Sequence, residues 1–250
     1  MSRPPGPEAA PLPGLIDDAS PAGKPPPGPE GHRARMRAKL LTAGPEALLD
    51  HELLEMLLFV ALPRRDTKPI ARALIARFGS FAAALSAPVP DLRTVPDLGE
   101  AGAAALKTVQ AAALRLVRAE LLNRPVLDHW DRLLDYLTAA MAREPVEQFR
   151  VLFLDSKNRL IADEAQARGT VNRTPVYPRE VVKRALELGA TALVLVHNHP
   201  SGDPTPSRAD VAMTEEVQKA AAALGILLHD HIVIGRAGHL SLRQDGLLRG

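Results

Sequence analysis

The stretch "TALVLVHNHPSGDPTPSRAD", residues 191–210, decides how the rest of this chain is read. It opens as an aliphatic run with the length and composition of a buried strand and ends on His197-Asn198-His199. A turn rich in proline and glycine follows, and "PSRADVAMTEEVQKAAAALG" then carries the pattern of a helix. Because strand side chains alternate faces, His197 and His199 project to one side and Asn198 to the other. Asp210 falls in the first turn of the helix. Ser201 and Asp203 sit in Pro-Ser-Gly and Gly-Asp-Pro runs, which are turn chemistry.

Two readings fit this cluster. Ser207 and Asp210 stand three apart at a helix start after Pro206, close to a capping box with Asp in place of Glu or Gln. The histidines can then be satisfied by ordinary hydrogen bonds. In the other reading, two imidazoles on one face and a nearby carboxylate hold a metal and leave a fourth position open, the pattern of a catalytic zinc.

Outward from this stretch, strands and helices alternate. Toward the N-terminus, "PREVVKRALELGA" predicts a helix from Pro178 to about Gly189. "QFRVLFLDSKNRLIADEAQA" predicts two strands joined at Lys157-Asn158, and "DHWDRLLDYLTAAMA" a helix before them. Toward the C-terminus, "ILLHDHIVIG" and "HLSL" add two strands. On the first of these, alternation puts His229 and His231 on a common face, as second-shell support or core hydrogen bonding rather than a second metal. Residues 126–250 therefore form an α/β sandwich of ordinary domain size.

Residues 32–124 are helical. In "DHELLEMLLFVAL", Asp50 is placed to cap a helix whose Leu53, Leu54, Leu57 and Leu58 recur at helical spacing. "DTKPIARALIARFGSFAAAL" is a helix closed by Gly79 and followed by a shorter one. "VPDLGEAGAAALKTVQAAALRLVRAELL" is a glycine-punctuated turn leading into a long helix, and "NRPVL" a linker. Residues 1–31 hold a large share of the chain's 23 prolines and read as a disordered tail of polyproline character.

Composition sets limits on chemistry. With no cysteine, disulfides and thiolate-held zinc are excluded, so any metal must take His, Asp, Glu or water. The 31 basic and 29 acidic residues leave a formal charge of +2, too even to argue for nucleic acid from bulk charge. No apolar run approaches the roughly 18 residues of a membrane span, and no secretory signal is visible, so the expected location is the cytoplasm.

His-x-His, seven residues, Ser, two residues, Asp is the signature of the JAMM (MPN-plus) metalloproteases, matched here at His197, His199, Ser207 and Asp210. More narrowly, "HNHPSGDPTPSRAD" resembles the RadC family, and "DHIVIG" also recurs in that resemblance, which covers nearly all of the chain after the tail. It implies a JAMM/MPN-like (deaminase-like) α-β-α sandwich preceded by a small all-α domain. It also implies one zinc per chain on His197, His199 and Asp210. "YPREVVKRAL" looks like the family's segment carrying an upstream glutamate and makes Glu180 the general base. Ser207 would donate to the oxyanion. The activity so implied is hydrolysis of peptide or isopeptide amides in a protein substrate.

The family has long carried a DNA-repair label, which supplies the alternative: a DNA-associated repair or recombination factor whose zinc domain is a binding module. "TVPDLGEAGAAAL", residues 94–106, resembles a helix-hairpin-helix turn, which presents backbone N–H groups to phosphate. The candidate DNA contacts are Leu98 and Gly99 in that turn, and Arg33 and Arg35 in the basic arm "HRARMRAK", with Arg64, Arg65 and Lys68 as further cations. Asp97 stands where the motif carries its first glycine and would repel phosphate. A third reading, nucleic-acid hydrolysis, is disfavoured because phosphodiester cleavage more often uses two metals about 4 Å apart, and the chain lacks the acidic cluster for a second.

Overall fold

The computed structural model describes residues 29–121, 125–168 and 176–248. Most of the stretch expected to be a tail lies outside these residues. Its last three do not: helix α1, Pro29–Ala43, starts inside it. Residues 123 and 124 of the expected linker also fall outside, as does residue 122 at the end of the expected long helix. The chain divides into two compact units between Leu48 and Leu49. The first ends with α1 and a short 3-10 turn at Pro45–Ala47, the two separated by Gly44 at φ 82.

The second unit opens with α2, Asp50–Ala61. Its N-cap position is Leu49, not Asp50. One residue inside the helix, the Asp50 carboxylate turns to the Phe81 N–H (2.7 Å), and Glu52 reaches back to the Leu49 N–H (2.9 Å). Helix α3, Lys68–Phe78, stops at Gly79 with φ 90, and Ser80 caps α4, Phe81–Ser86, by accepting from the Ala83 N–H. After α5, Val89–Arg93, the chain turns through Asp97 and Gly99, both at positive φ, into α6, Gly99–Leu121. Leu54, Leu58, Ile70, Leu74, Leu92, Leu98 and Leu106 fill the core between these helices. Of the leucines at helical spacing in the sequence of α2, Leu54 and Leu58 are buried and Leu53 and Leu57 half-buried.

A bridge at Pro125 and a 3-10 turn lead to α7, Trp130–Met141. Strands β1, Gln148–Leu154, and β2, Leu160–Arg168, form the expected hairpin, with Asn158 at φ 56 in its turn. Helix α8, Pro178–Leu188, ends on left-handed Gly189; β3 is Ala192–Asn198, α9 Arg208–Ala222, β4 Leu227–Gly235 and β5 Gly238–Ser241. The sheet order is β2-β1-β3-β4-β5. Only β3 and β4 run parallel, as a helical crossover requires; the other pairs are antiparallel.

All seven residues of β3 are buried. Val194 and Val196 pack with Leu152, Ile232, Leu133 and Leu137 on the α7 side. Leu193 and Leu195 pack with Val151, Val181, Val217 and Val233 on the α8 and α9 side. Helices on both faces of a mixed sheet give the α-β-α sandwich expected. By the same alternation His197 faces α9.

Past β3 the chain returns over the end of β4. The His199 N–H donates to Ile234 O (2.9 Å), the Ala237 N–H to Gly202 O (3.0 Å), and the Arg236 guanidinium to Pro200 O and Ser201 O. This approach needs Gly235: a Cβ there would lie 2.3 Å from Gly202 O. Gly235→Ala should therefore lower stability by about 1–3 kcal/mol, the range for overpacking a closed contact. The measurement is a shift of the urea midpoint at constant slope; an unshifted midpoint would contradict the contact.

Candidate metal centre

His197 comes from the last turn of the pleat of β3, His199 from just beyond it, and Asp210 from the first turn of α9. The two Nε2 atoms are 3.0 Å apart. Asp210 Oδ1 is 3.6 Å from His197 Nε2, and Oδ2 is 3.8 Å from His199 Nε2. One ligand atom from each residue lies within 4.8 Å of the others. Neighbours aim these donors. His199 Nδ1 lies 2.8 Å from Asp203 O, which can only accept, so Nδ1 carries the proton and Nε2 is the basic nitrogen. His197 Nδ1 lies 2.8 Å from His231 Nε2 in the interior. Two nitrogens and a carboxylate converging from a buried wall fit a divalent cation.

Ser207 joins the group and completes the cap at the start of α9. Its Oγ accepts from the Asp210 N–H (3.2 Å), while its own O–H and N–H donate to Asp210 Oδ2 (2.6 and 2.7 Å). The capping box, with Asp in place of the usual Glu or Gln, also fixes the Asp210 carboxylate. Asp203 bonds Thr205 through its carboxylate, as turn chemistry predicts.

Glu180 is not brought to the histidines. It sits exposed in the first turn of α8, paired with Arg179 (3.2 Å). It lines a polar depression with Glu164, Lys183, Arg184 and Glu187, none of which belongs to the cluster. The carboxylate that feels the cluster is Glu147, which the sequence reading missed. Burial raises its pKa first, the Asp210 charge raises it further, and His199 opposes both. Phe149 pairs antiparallel with His197, so Glu147, two residues earlier, comes level with His199. Asn198 pins that approach: its Oδ1 accepts from the Gln148 N–H (2.8 Å) and its Nδ2 donates to Glu144 O and Val146 O. Strand parity was the available signal, because a carboxylate two residues before Phe149 shares its face.

The second His-x-His is split. Pairing with β3 jumps from Leu193↔Leu228 to Val194↔Asp230, a bulge at His229. The alternation expected to keep the two rings together is broken there. His229 bonds Asn158, while His231 bonds His197 and Thr214.

In the helical hairpin, Arg65 donates to both the Asp97 carboxylate (3.0 Å) and the Asp97 carbonyl (3.2 Å). One proposed phosphate-tracking cation is thus engaged by the residue that would repel phosphate. Leu98 is fully buried and its N–H donates to Val95 O (3.4 Å), so it offers a backbone nothing; Gly99 is exposed at the start of α6. Arg33 and Arg35 lie on α1 in the first unit.

Electrostatics separate the two histidines. Burial drives His197 down to about 4, against the Asp210 charge. For His199 the facing Asp210 carboxylate wins over burial and raises the pKa. Burial works to raise Asp210, but His199, His197 and Ser207 hold it well below the usual carboxylate range. A proton on His199 competes with a cation for the same lone pair. Cation affinity should be complete above the raised His199 pKa and fall as pH drops through it, by up to about tenfold per pH unit. Chelator competition across the neutral range measures this, and an affinity flat over that range would refute it.

Residues 127–247 match the family model described as "RadC-like JAB domain". The chain is also 62% identical over 213 residues to a UPF0758 protein of Rhodobacter capsulatus, an alignment spanning 85% of this chain and 100% of that one. Among the described residues no helix is long and apolar enough to cross a membrane. The motif in residues 197–210, the mixed five-stranded sheet and these matches agree: the chain belongs to the RadC (UPF0758) family, with a JAB domain following its helical region.

Proposed function

We propose that this protein is a zinc-dependent hydrolase of peptide or isopeptide amide bonds, acting through residues 126–250 on a protein or peptide substrate in the cytoplasm. The observation that carries the reading is the convergence of His197, His199 and Asp210 with one further carboxylate, Glu147, electrostatically coupled to them. His197, His199 and Asp210 would hold one zinc. When bound there, zinc would polarise a carbonyl and bring the pKa of a water near 7.

Glu147 takes the role first given to Glu180. Its raised pKa suits a group that accepts the proton of the attacking water and passes it to the departing amine. Ser207 can turn its O–H from Asp210 Oδ2 toward a developing oxyanion, because its backbone N–H still holds that oxygen. Such a donor is worth about 3 kcal/mol elsewhere.

The test compares wild type, Glu147→Gln and Glu180→Gln in a host lysate, reading new N-termini by mass spectrometry and zinc by elemental analysis. Glu147→Gln should keep about one zinc per chain and lose about 100-fold or more in rate, as removal of a general base does. Glu180→Gln should cleave like wild type. Equal losses in both variants, or a fully active Glu147→Gln, would remove Glu147 from the mechanism. A wild type without zinc or cleavage would remove the hydrolase reading.

A further inference from the structure

His197 is held inside β3, but His199 lies one residue beyond the strand, and its side chain is 19% exposed. Its ring is aimed by the turn that follows. Nδ1 is 2.8 Å from Asp203 O, and the Gly202 N–H donates to His199 O (2.9 Å). That turn, Pro200-Ser201-Gly202-Asp203, carries no large apolar side chain to bury, so its backbone must hold it in place.

Three successive carbonyls of the turn are taken by two residues between β4 and β5. The Arg236 guanidinium donates to Pro200 O (2.8 Å) and Ser201 O (2.7 Å), and the Ala237 N–H to Gly202 O (3.0 Å). The fit is built from both sides. Gly202 is buried at φ 97, and a Cβ there would lie 3.1 Å from the guanidinium, so bare backbone is what lets Arg236 lie against it. Nη1 and Nη2, fixed in one plane, reach two neighbouring carbonyls at once. A lysine ammonium on its flexible stem cannot hold both in that geometry. Among the described residues Arg236 has no carboxylate partner, so its guanidinium is given over to this turn.

We propose that Arg236, which lies outside the His-x-His motif, is a positioning residue: it staples the 200–203 turn to the end of the sheet and thereby sets where the His199 ring points. The staple stands on its hydrogen bonds alone, while its use for a cation rests on the function proposed above. Charge and placement act here with opposite sign. A guanidinium near a cation site repels the cation, so removing it tightens binding if charge is all it contributes. Arg236 is exposed, and salt keeps that effect small. Acting through His199, its removal weakens binding instead.

The test uses the full chain as wild type, Arg236→Ala and Arg236→Lys. Amide hydrogen exchange on the metal-stripped protein reads the turn, and chelator competition reads zinc affinity. Cobalt(II) in place of zinc reports the ligand arrangement through its visible absorption, which a loss of fold stability alone does not move. Arg236→Ala should speed exchange at Gly202 and Ala237 while the amides of β3 stay protected. It should weaken zinc about tenfold, the lower end for groups that support a ligand, because Arg236 acts one step further out. It should also alter the cobalt spectrum. Arg236→Lys keeps the charge and loses the fork, so it should behave like Arg236→Ala and not like wild type. Zinc held by the alanine variant as tightly as by wild type, or more tightly, would overturn the proposal. Wild-type exchange at Gly202 and Ala237 in that variant would overturn it equally. If no protein binds zinc, wild type included, the proposed function fails, and the exchange pattern decides the staple by itself.

Discussion

A strand buried on both faces has no solvent to receive its polar groups, and β3 is such a strand to its last residue. His197 and Asn198 end it at 1% and 0% exposure. Every donor and acceptor there must find a protein partner, since a buried unpaired polar group costs about 1–3 kcal/mol. Meeting that demand organises the surroundings. Asn198 takes the backbone of residues 144–148, and His197 takes His231. The groups that crowd the end of the strand thereby satisfy it and also arrange Glu147, His199 and Asp210.

Much of this was legible in the sequence, and the reasons differ by residue. The five strands, the helices between them and the common face of His197 and His199 follow from period-2 and period-3.6 patterns that tertiary contacts did not override. Asp50 misled because a carboxylate at a helix start serves as well one position later, when another helix offers an unpaired N–H. His229 misled because a bulge shifts parity, and a bulge depends on how two distant strands pair. Glu180 rests only on the resemblance of its segment to the family's. The β1–β3 register, extended by two residues, brings Glu147, some fifty residues upstream of the histidines, level with His199.

Ser207 and Asp210 show why local and functional readings of one motif need not compete. A capping box needs a hydroxyl and a carboxylate three apart at a helix start, held rigidly against backbone N–H groups. A ligand carboxylate also needs to be held rigidly, with one oxygen free of the cap. Here Oδ2 takes the cap's hydrogen bonds and Oδ1 is the oxygen nearer His197. The turn before α9 therefore carries no extra machinery to aim its ligand.

Sharing one carboxylate between cap and cluster has a thermodynamic side. Asp210, which closes the cap at the start of α9, is also the carboxylate a cation would grip, so the helix start and the ion would be parts of one equilibrium. Any ion bound only by the folded chain adds RT ln(1 + [ion]/Kd) to stability, about 2.7 kcal/mol at a hundredfold excess over Kd. Such a term is a sizeable fraction of a typical folding free energy. The unfolded fraction, and with it the exposure of the chain to proteolysis, would then follow the supply of free metal in the cell. In such a protein abundance itself reports on metal availability.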